Sequence, residues 1–202
     1  MSNYPSQWNN YDGFVKSHGY SRFDFKVSEG DINRFGARYR VAASFKSLEL
    51  NDYAAKTKDG YSALCQVLLS WSAFESFLPL IDLNVSHTED LMMKYSSDSV
   101  IREIRRIDVN DKFYKFIYDR VNKRHKKELD SYFNSDPCNP QYLASSIRHI
   151  FAHGPLTPNA NEVEPESVVN ICKILSQFLL NLIDAEFTIV IEKELEAMRD
   201  ER

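Results

Sequence analysis

Apolar residues recur along most of this chain at intervals of three and four, the spacing that aligns them on one face of an α-helix. The first stripe is Ile32, Phe35, Tyr39, Ala42 and Phe45, which predicts a helix capped by Asp31 and ending near Leu50. A longer stripe follows Asn51 and Asp52. There Tyr61, Leu64, Leu68, Trp71, Phe74, Phe77, Leu78 and Ile81 predict the central core helix, interrupted only by Gly60. Short helices are expected from Glu89 to Tyr95 and from Asp98 to Ile107. One longer helix, Asn110 to Phe133, should turn Phe113, Phe116, Ile117 and Val121 inward. After a loop from Asn134 to Pro140, Asn139 and Pro140 supply an N-cap and a first-turn proline for a helix that stops at Gly154-Pro155. Residues 155 to 165 read as a loop, and Pro165 and Glu166 open a last helix through Val169, Leu175, Leu179, Leu182, Phe187 and Ile191. The run Phe187 to Ile191 has β propensity, but the helical spacing continues through it. The expected fold class is all-α, a compact helical bundle.

Residues 1 to 30 carry Pro5, Gly13, Gly19 and Gly30 among scattered aromatics, and read as an irregular N-terminal arm on a helical domain spanning 31 to 202. A chain of 202 residues with 43% apolar content can bury a real core. No run approaches eighteen uninterrupted apolar residues and no signal segment opens the chain, so a cytoplasmic protein without membrane contact is expected. Cys65, Cys138 and Cys172 are too widely spaced for a disulfide framework or paired zinc ligands, and Cys65 and Cys172 should be buried. The net charge of −4 hides an asymmetry: residues 102 to 127 hold ten Lys/Arg against four Asp/Glu, and 128 to 202 hold five against thirteen. A basic face around Arg102, Arg105, Arg106, Arg120, Lys123, Arg124 and Lys127 would suit a polyanion, although such runs commonly just solvate a helix. No Gly-rich phosphate loop, nucleophile elbow or Cys-His pairing is present, which removes most familiar enzyme classes.

The heptapeptide Arg148-His149-Ile150-Phe151-Ala152-His153-Gly154 is where chemistry on a phosphate is most legible. Residues five apart point about 140° away from each other on an ideal helix. Arg148 and His153 can therefore cooperate only if His153 sits at the unwinding end, which Gly154 and Pro155 favour. Metal-free RNA cleavage needs a base for the 2′-hydroxyl, an acid for the departing 5′-oxygen and a cation for the phosphate. Arg148 can serve as the cation through its planar fork, and His153 as acid or base. One imidazole cannot stand on both sides of an in-line displacement, but a two-fold dimer would bring a second motif to the same cleft. The plainer alternatives are that Arg148 pairs with a carboxylate such as Glu75 and that His153 caps the last carbonyls. His149 and His153 have the spacing of two metal ligands on one helix, yet a third ligand is missing, so no metal and no cofactor are expected. Glu75 should orient Arg148 or His149, since an acidic group in an apolar helix needs a partner.

These seven residues resemble the Arg-x4-His signature of the HEPN superfamily, in which Asn most often follows the Arg and Gly commonly follows the His. Trp71, Phe74 and Glu75 are similar to part of the family's other core helix, and the resemblance covers roughly residues 50 to 195. It implies a homodimeric, metal-independent endoribonuclease of toxin or defence character, with Arg148 and His153 catalytic and a 2′,3′-cyclic phosphate product. Substrate contacts are expected from His149, Arg120, Lys123 and Arg124. His149 stands where the family has Asn, which either adds a proton-active group or marks lost activity. The alternative is a noncatalytic helical dimer that binds RNA, a nucleotide or a protein partner such as an antitoxin.

Overall fold

A computed structural model of the chain describes residues 3–23, 25–134, 138–160 and 163–200, and every regular element among them is helical. In chain order these are α1 (Trp8–His18), α2 (Glu29–Ser44), α3 (Ala55–Phe77), α4 (Glu89–Lys94), α5 (Ser97–Ile107), α6 (Lys112–Arg120), α7 (Lys123–Phe133), α8 (Pro140–Ala152) and α9 (Pro165–Asp200). Single 3-10 turns lie at Tyr20–Arg22, Leu78–Ile81 and Val109–Asp111. The fold is all-α, as the apolar spacing predicts. Parts of the two loops expected around α8, residues 135–137 and 161–162, lie outside the described residues.

Helix α3 occupies the centre because its apolar residues nearly encircle it. Leu64, Val67, Trp71, Phe74 and Phe77 are all buried, and the helix packs along α9, α2 and α8. Phe35 of α2 meets Phe77 of α3 and Phe187 of α9 at ring separations of 5.2 and 5.5 Å. Each of these fully buried rings stabilises the fold by roughly 1.5–3 kcal/mol. By length and composition α3 with its 3-10 extension, and α9, could each cross a membrane. About half of each apolar window is buried inside this molecule, and the two helices pack along each other.

The first thirty residues differ from the irregular arm expected, since Trp8–His18 is helical. No side-chain cap starts α1, so docking rather than local signals holds it. The Trp8 ring lies so close over Gly36 of α2 that a Cβ there would meet ring atoms at 2.2–2.8 Å. The same ring stacks on Phe187 at 5.9 Å.

Two helix boundaries also differ from expectation. Asp31 is not the N-cap of α2 but its third residue: Ser28 caps, accepting from the Asp31 N–H while the Asp31 carboxylate accepts from the Ser28 N–H. The helix ends at Ser44 rather than near Leu50. The single helix expected over 110–133 is two, because Val121 and Asn122 are extended (ψ 158° and 167°). Val121 is buried, and Asn122 caps α7 through its side chain, a bond that competes with continued helix. The start is also set back. Asn110 and Asp111 adopt left-handed backbone (φ 59° and 54°), and buried Asp108 accepts from the N–H groups of Phe113 and Tyr114 at 2.8 Å each.

Candidate functional site

Helix α8 carries the heptapeptide and packs against α3, α5, α6, α7 and α9. Leu143, Ala144, Ile147 and Ile150 face inward and are buried. Gln141 donates to Thr88 Oγ1 at 2.7 Å, fastening the first turn of α8 to the start of α4. That leaves Arg148 and His149 half-buried at the rim. The helix ends as its glycine demands: Gly154 has φ +93°, and its N–H donates to the Phe151 carbonyl at 3.1 Å. His153 is the C-cap, with φ −94° and ψ 2°, and is exposed. Its N–H still donates to the His149 carbonyl at 3.2 Å, so His153 sits one turn beyond His149 rather than beside Arg148.

Beside Arg148 opens a cleft of about 350 Å³, walled by Trp71 and Glu75 of α3, by Arg124, His125 and Glu128 of α7, and by Tyr142 and Arg148 of α8. Arg148 Nη2 lies 3.8 Å from Glu75 Oε2, with the two side chains 39% and 51% exposed. A pair so open to water is worth about 0–1 kcal/mol, so an arriving phosphate can displace the carboxylate. Arg124 donates to Ser86 Oγ at 3.2 Å on the same cleft.

The residue that sequence reasoning missed is His125. Its ring lies 5.6 Å from that of His149, nearly parallel at 27°, and His149 in turn meets His153 edge to face at 4.6 Å. Three imidazoles from two helices thus form a row, of which His125 lines the cleft while His149 and His153 lie outside its lining. Burial holds His125 below the ordinary histidine value, reinforced by His149, Arg124 and Arg148 and opposed by Glu128. Burial also lowers His149, helped by His153 and Arg148. The signal that could have pointed to His125 is Asn122, an N-cap residue three positions earlier inside what reads as one helix.

The other expected substrate contacts are placed differently. Arg120 folds back on its own helix, its guanidinium 3.6 Å from the Phe116 ring centre and its Nη1 donating to the Phe116 carbonyl at 3.0 Å. Lys123 is exposed at the first position of α7, and neither residue borders the cleft. Arg105 leaves the basic face altogether, since its guanidinium lies over the Tyr132 ring at 4.3 Å and donates to the Tyr132 carbonyl.

Among the described residues no three His, Cys, Asp or Glu side chains are grouped to hold a metal ion. All three cysteines are free thiols, with Cys138 and Cys172 buried and Cys65 half-buried. Cys138 therefore takes the buried place expected for Cys65. Burial pushes Cys172 up to about 12 and Cys138 up to about 11, which makes both poor nucleophiles. Comparison of the chain with family models, with curated proteins and with solved structures returns no match.

Proposed function

We propose that this chain is a metal-independent endoribonuclease of HEPN type, working as a homodimer in the cytoplasm. The observation that carries the reading is a displaceable arginine that shares one open cleft with His125, from which His149 and His153 continue a row of imidazoles beyond the cleft lining. Arg148 binds the scissile phosphate through paired N–H donors. His153, exposed beyond the end of α8, exchanges a proton with the reacting oxygens. Cleavage leaves a 2′,3′-cyclic phosphate and a 5′-hydroxyl, and a second copy placed across a two-fold axis completes a composite site. The resemblance of the heptapeptide to the HEPN signature supports a toxin or defence role, with a protein partner such as an antitoxin restraining the activity.

The test is cleavage of end-labelled single-stranded RNA by the purified protein in EDTA. Activity that persists in chelator and is lost in Arg148→Ala and His153→Ala supports the proposal. Equal cleavage by wild type and both variants would overturn it.

A second reading has its own support in the pairing of Arg148 with Glu75. A guanidinium already matched to a carboxylate suits a noncatalytic helical dimer that binds RNA, a nucleotide or a protein without cleaving anything. Retained RNA affinity with no cleavage at any pH would favour it.

A further inference from the structure

We infer that His125, aimed by Asn122, is the general base of the cleavage site, a role that rests on the ribonuclease reading above. Asn122 Oδ1 accepts the backbone N–H of His125 at 3.1 Å, which fixes the side-chain amide with its oxygen toward that histidine. The same oxygen lies 3.2 Å from His125 Nδ1. An amide oxygen can only accept, so Nδ1 carries the proton and Nε2 keeps its lone pair. One helix cap thereby selects the tautomer that a base requires.

Position supports the same role. His125 and Arg148 border one cleft from facing helices, α7 and α8. His149 lies between His125 and His153, so the outer rings are no farther apart than the sum of two separations, 5.6 and 4.6 Å. Neither His149 nor His153 lines the cleft, so a phosphate held there by Arg148 meets His125 from its own protomer, and the second imidazole that in-line displacement demands is assigned to His153 of the second copy.

The charged and titratable groups around His125 are Arg124 and Glu128 on its own helix and Arg148 and His149 on α8. Across the cleft stand Glu75, Glu89 and Tyr142. Burial first, and then the cationic neighbours, favour the neutral ring, the form that can accept a proton.

In the reaction His125 Nε2 takes the proton of the ribose 2′-hydroxyl while O2′ forms a bond to phosphorus. The bond from phosphorus to O5′ breaks, and His153 of the second copy gives a proton to O5′. The products are the cyclic phosphate and a 5′-hydroxyl, with His125 protonated and His153 neutral. Proton exchange with water resets both.

The test uses full-length protein and two RNAs, one natural and one with sulfur replacing the bridging O5′ at a single scissile bond. A thiolate leaves without a proton, so loss of the acid is rescued by sulfur and loss of the base is not. His125→Gln should cost about 10²–10⁴-fold in kcat with RNA affinity kept, and sulfur should restore His153→Ala but not His125→Gln. Asn122→Asp retains a good cap and sets a carboxylate against the imidazole, which should move the acidic limb of the kcat/KM profile up by roughly one pH unit. That shift is one a merely structural residue would not produce. The inference is overturned if His125→Gln keeps wild-type activity and its acidic limb, or if sulfur rescues His125→Gln and not His153→Ala. If the wild type cleaves nothing at any pH, the ribonuclease reading falls with it; cleavage that ignores His125 removes this assignment alone.

Discussion

Gly60 is the position where helix propensity and packing make opposite demands, and the geometry decides between them. In the interior of a free helix, alanine is better than glycine by roughly 0.5–1 kcal/mol. In α3, however, a Cβ at residue 60 would meet Pro158 Cβ at 2.3 Å, Cγ at 2.8 Å and Cα at 3.3 Å. A proline ring cannot swing aside, being closed onto its own backbone. Pro158 lies in the loop that follows the heptapeptide, itself held by buried Leu156 and Ala160. The whole loop must retreat, and overpacking of that kind costs about 1–3 kcal/mol. Gly60→Ala should therefore destabilise the protein by roughly 0.5–2 kcal/mol net. Gly13→Ala is the control: it also lies within a helix, α1, but nothing comes within 4 Å of the point its methyl group would occupy. It should be neutral or stabilising by up to about 1 kcal/mol. Urea titrations followed by circular dichroism report both as midpoint shifts at constant slope. If Gly60→Ala is as stable as wild type, or both variants shift in the same direction, the packing argument is wrong. The double variant Gly60→Ala, Pro158→Gly should cost less than the sum of its parts, because the clash has been removed.

Arg148→Lys should behave nearly like Arg148→Ala in the cleavage assay, since a point charge cannot reproduce a two-pronged phosphate contact; near-wild-type turnover by the lysine variant would contradict this. Arg105→Ala and Arg124→Ala should separate stability from binding. The first lowers the melting temperature through lost packing on Tyr132 with little effect on RNA affinity, and the second does the reverse. Asp108→Ala leaves the buried N–H groups of Phe113 and Tyr114 without their acceptor and should cost roughly 1–3 kcal/mol in urea unfolding. His125 and His149 are both held below the ordinary value of 6.5. The unfolded chain then takes up protons first, so stability is full above 6.5 and declines as pH falls below it. A His125→Gln, His149→Gln double variant should show a flatter midpoint-versus-pH curve over that window, and an unchanged curve would refute the assignment.

Local chemistry made much of this fold readable. Asn139-Pro140 and Gly154-Pro155 bracket α8 to within a residue or two, because a proline that starts a helix and a glycine that ends one act through their own backbone. The expected bounds of α4 and α5 also lie within a residue of those observed, although neither helix has a side-chain cap. The division between α6 and α7 was not, since Val121-Asn122 carries neither glycine nor proline and the break depends on burying Val121. Helix α1 escaped notice because its stability comes from Trp8 docking over Gly36, a contact 28 positions away in the chain. At the site, Arg148 with Glu75 was anticipated, for both lie on strongly patterned helices. The nearness of His125 to His149 arises only when α7 folds against α8. No spacing along the chain encodes it.

The ten cations between residues 102 and 127 look, by composition, like an adhesive surface for any polyanion. Folding ties several of them down. Arg105 is held at Tyr132 and Arg120 at Phe116, Lys126 sits 4.9 Å from the Tyr118 ring centre, and Lys115 donates to the Asn110 carbonyl. Side chains so engaged cannot reach out to follow a phosphate backbone without giving up those contacts, so fewer condensed counterions are released when a nucleic acid docks. The molecule should discriminate by what fits between Arg124 and Arg148, and hold poorly to strands that merely drift past.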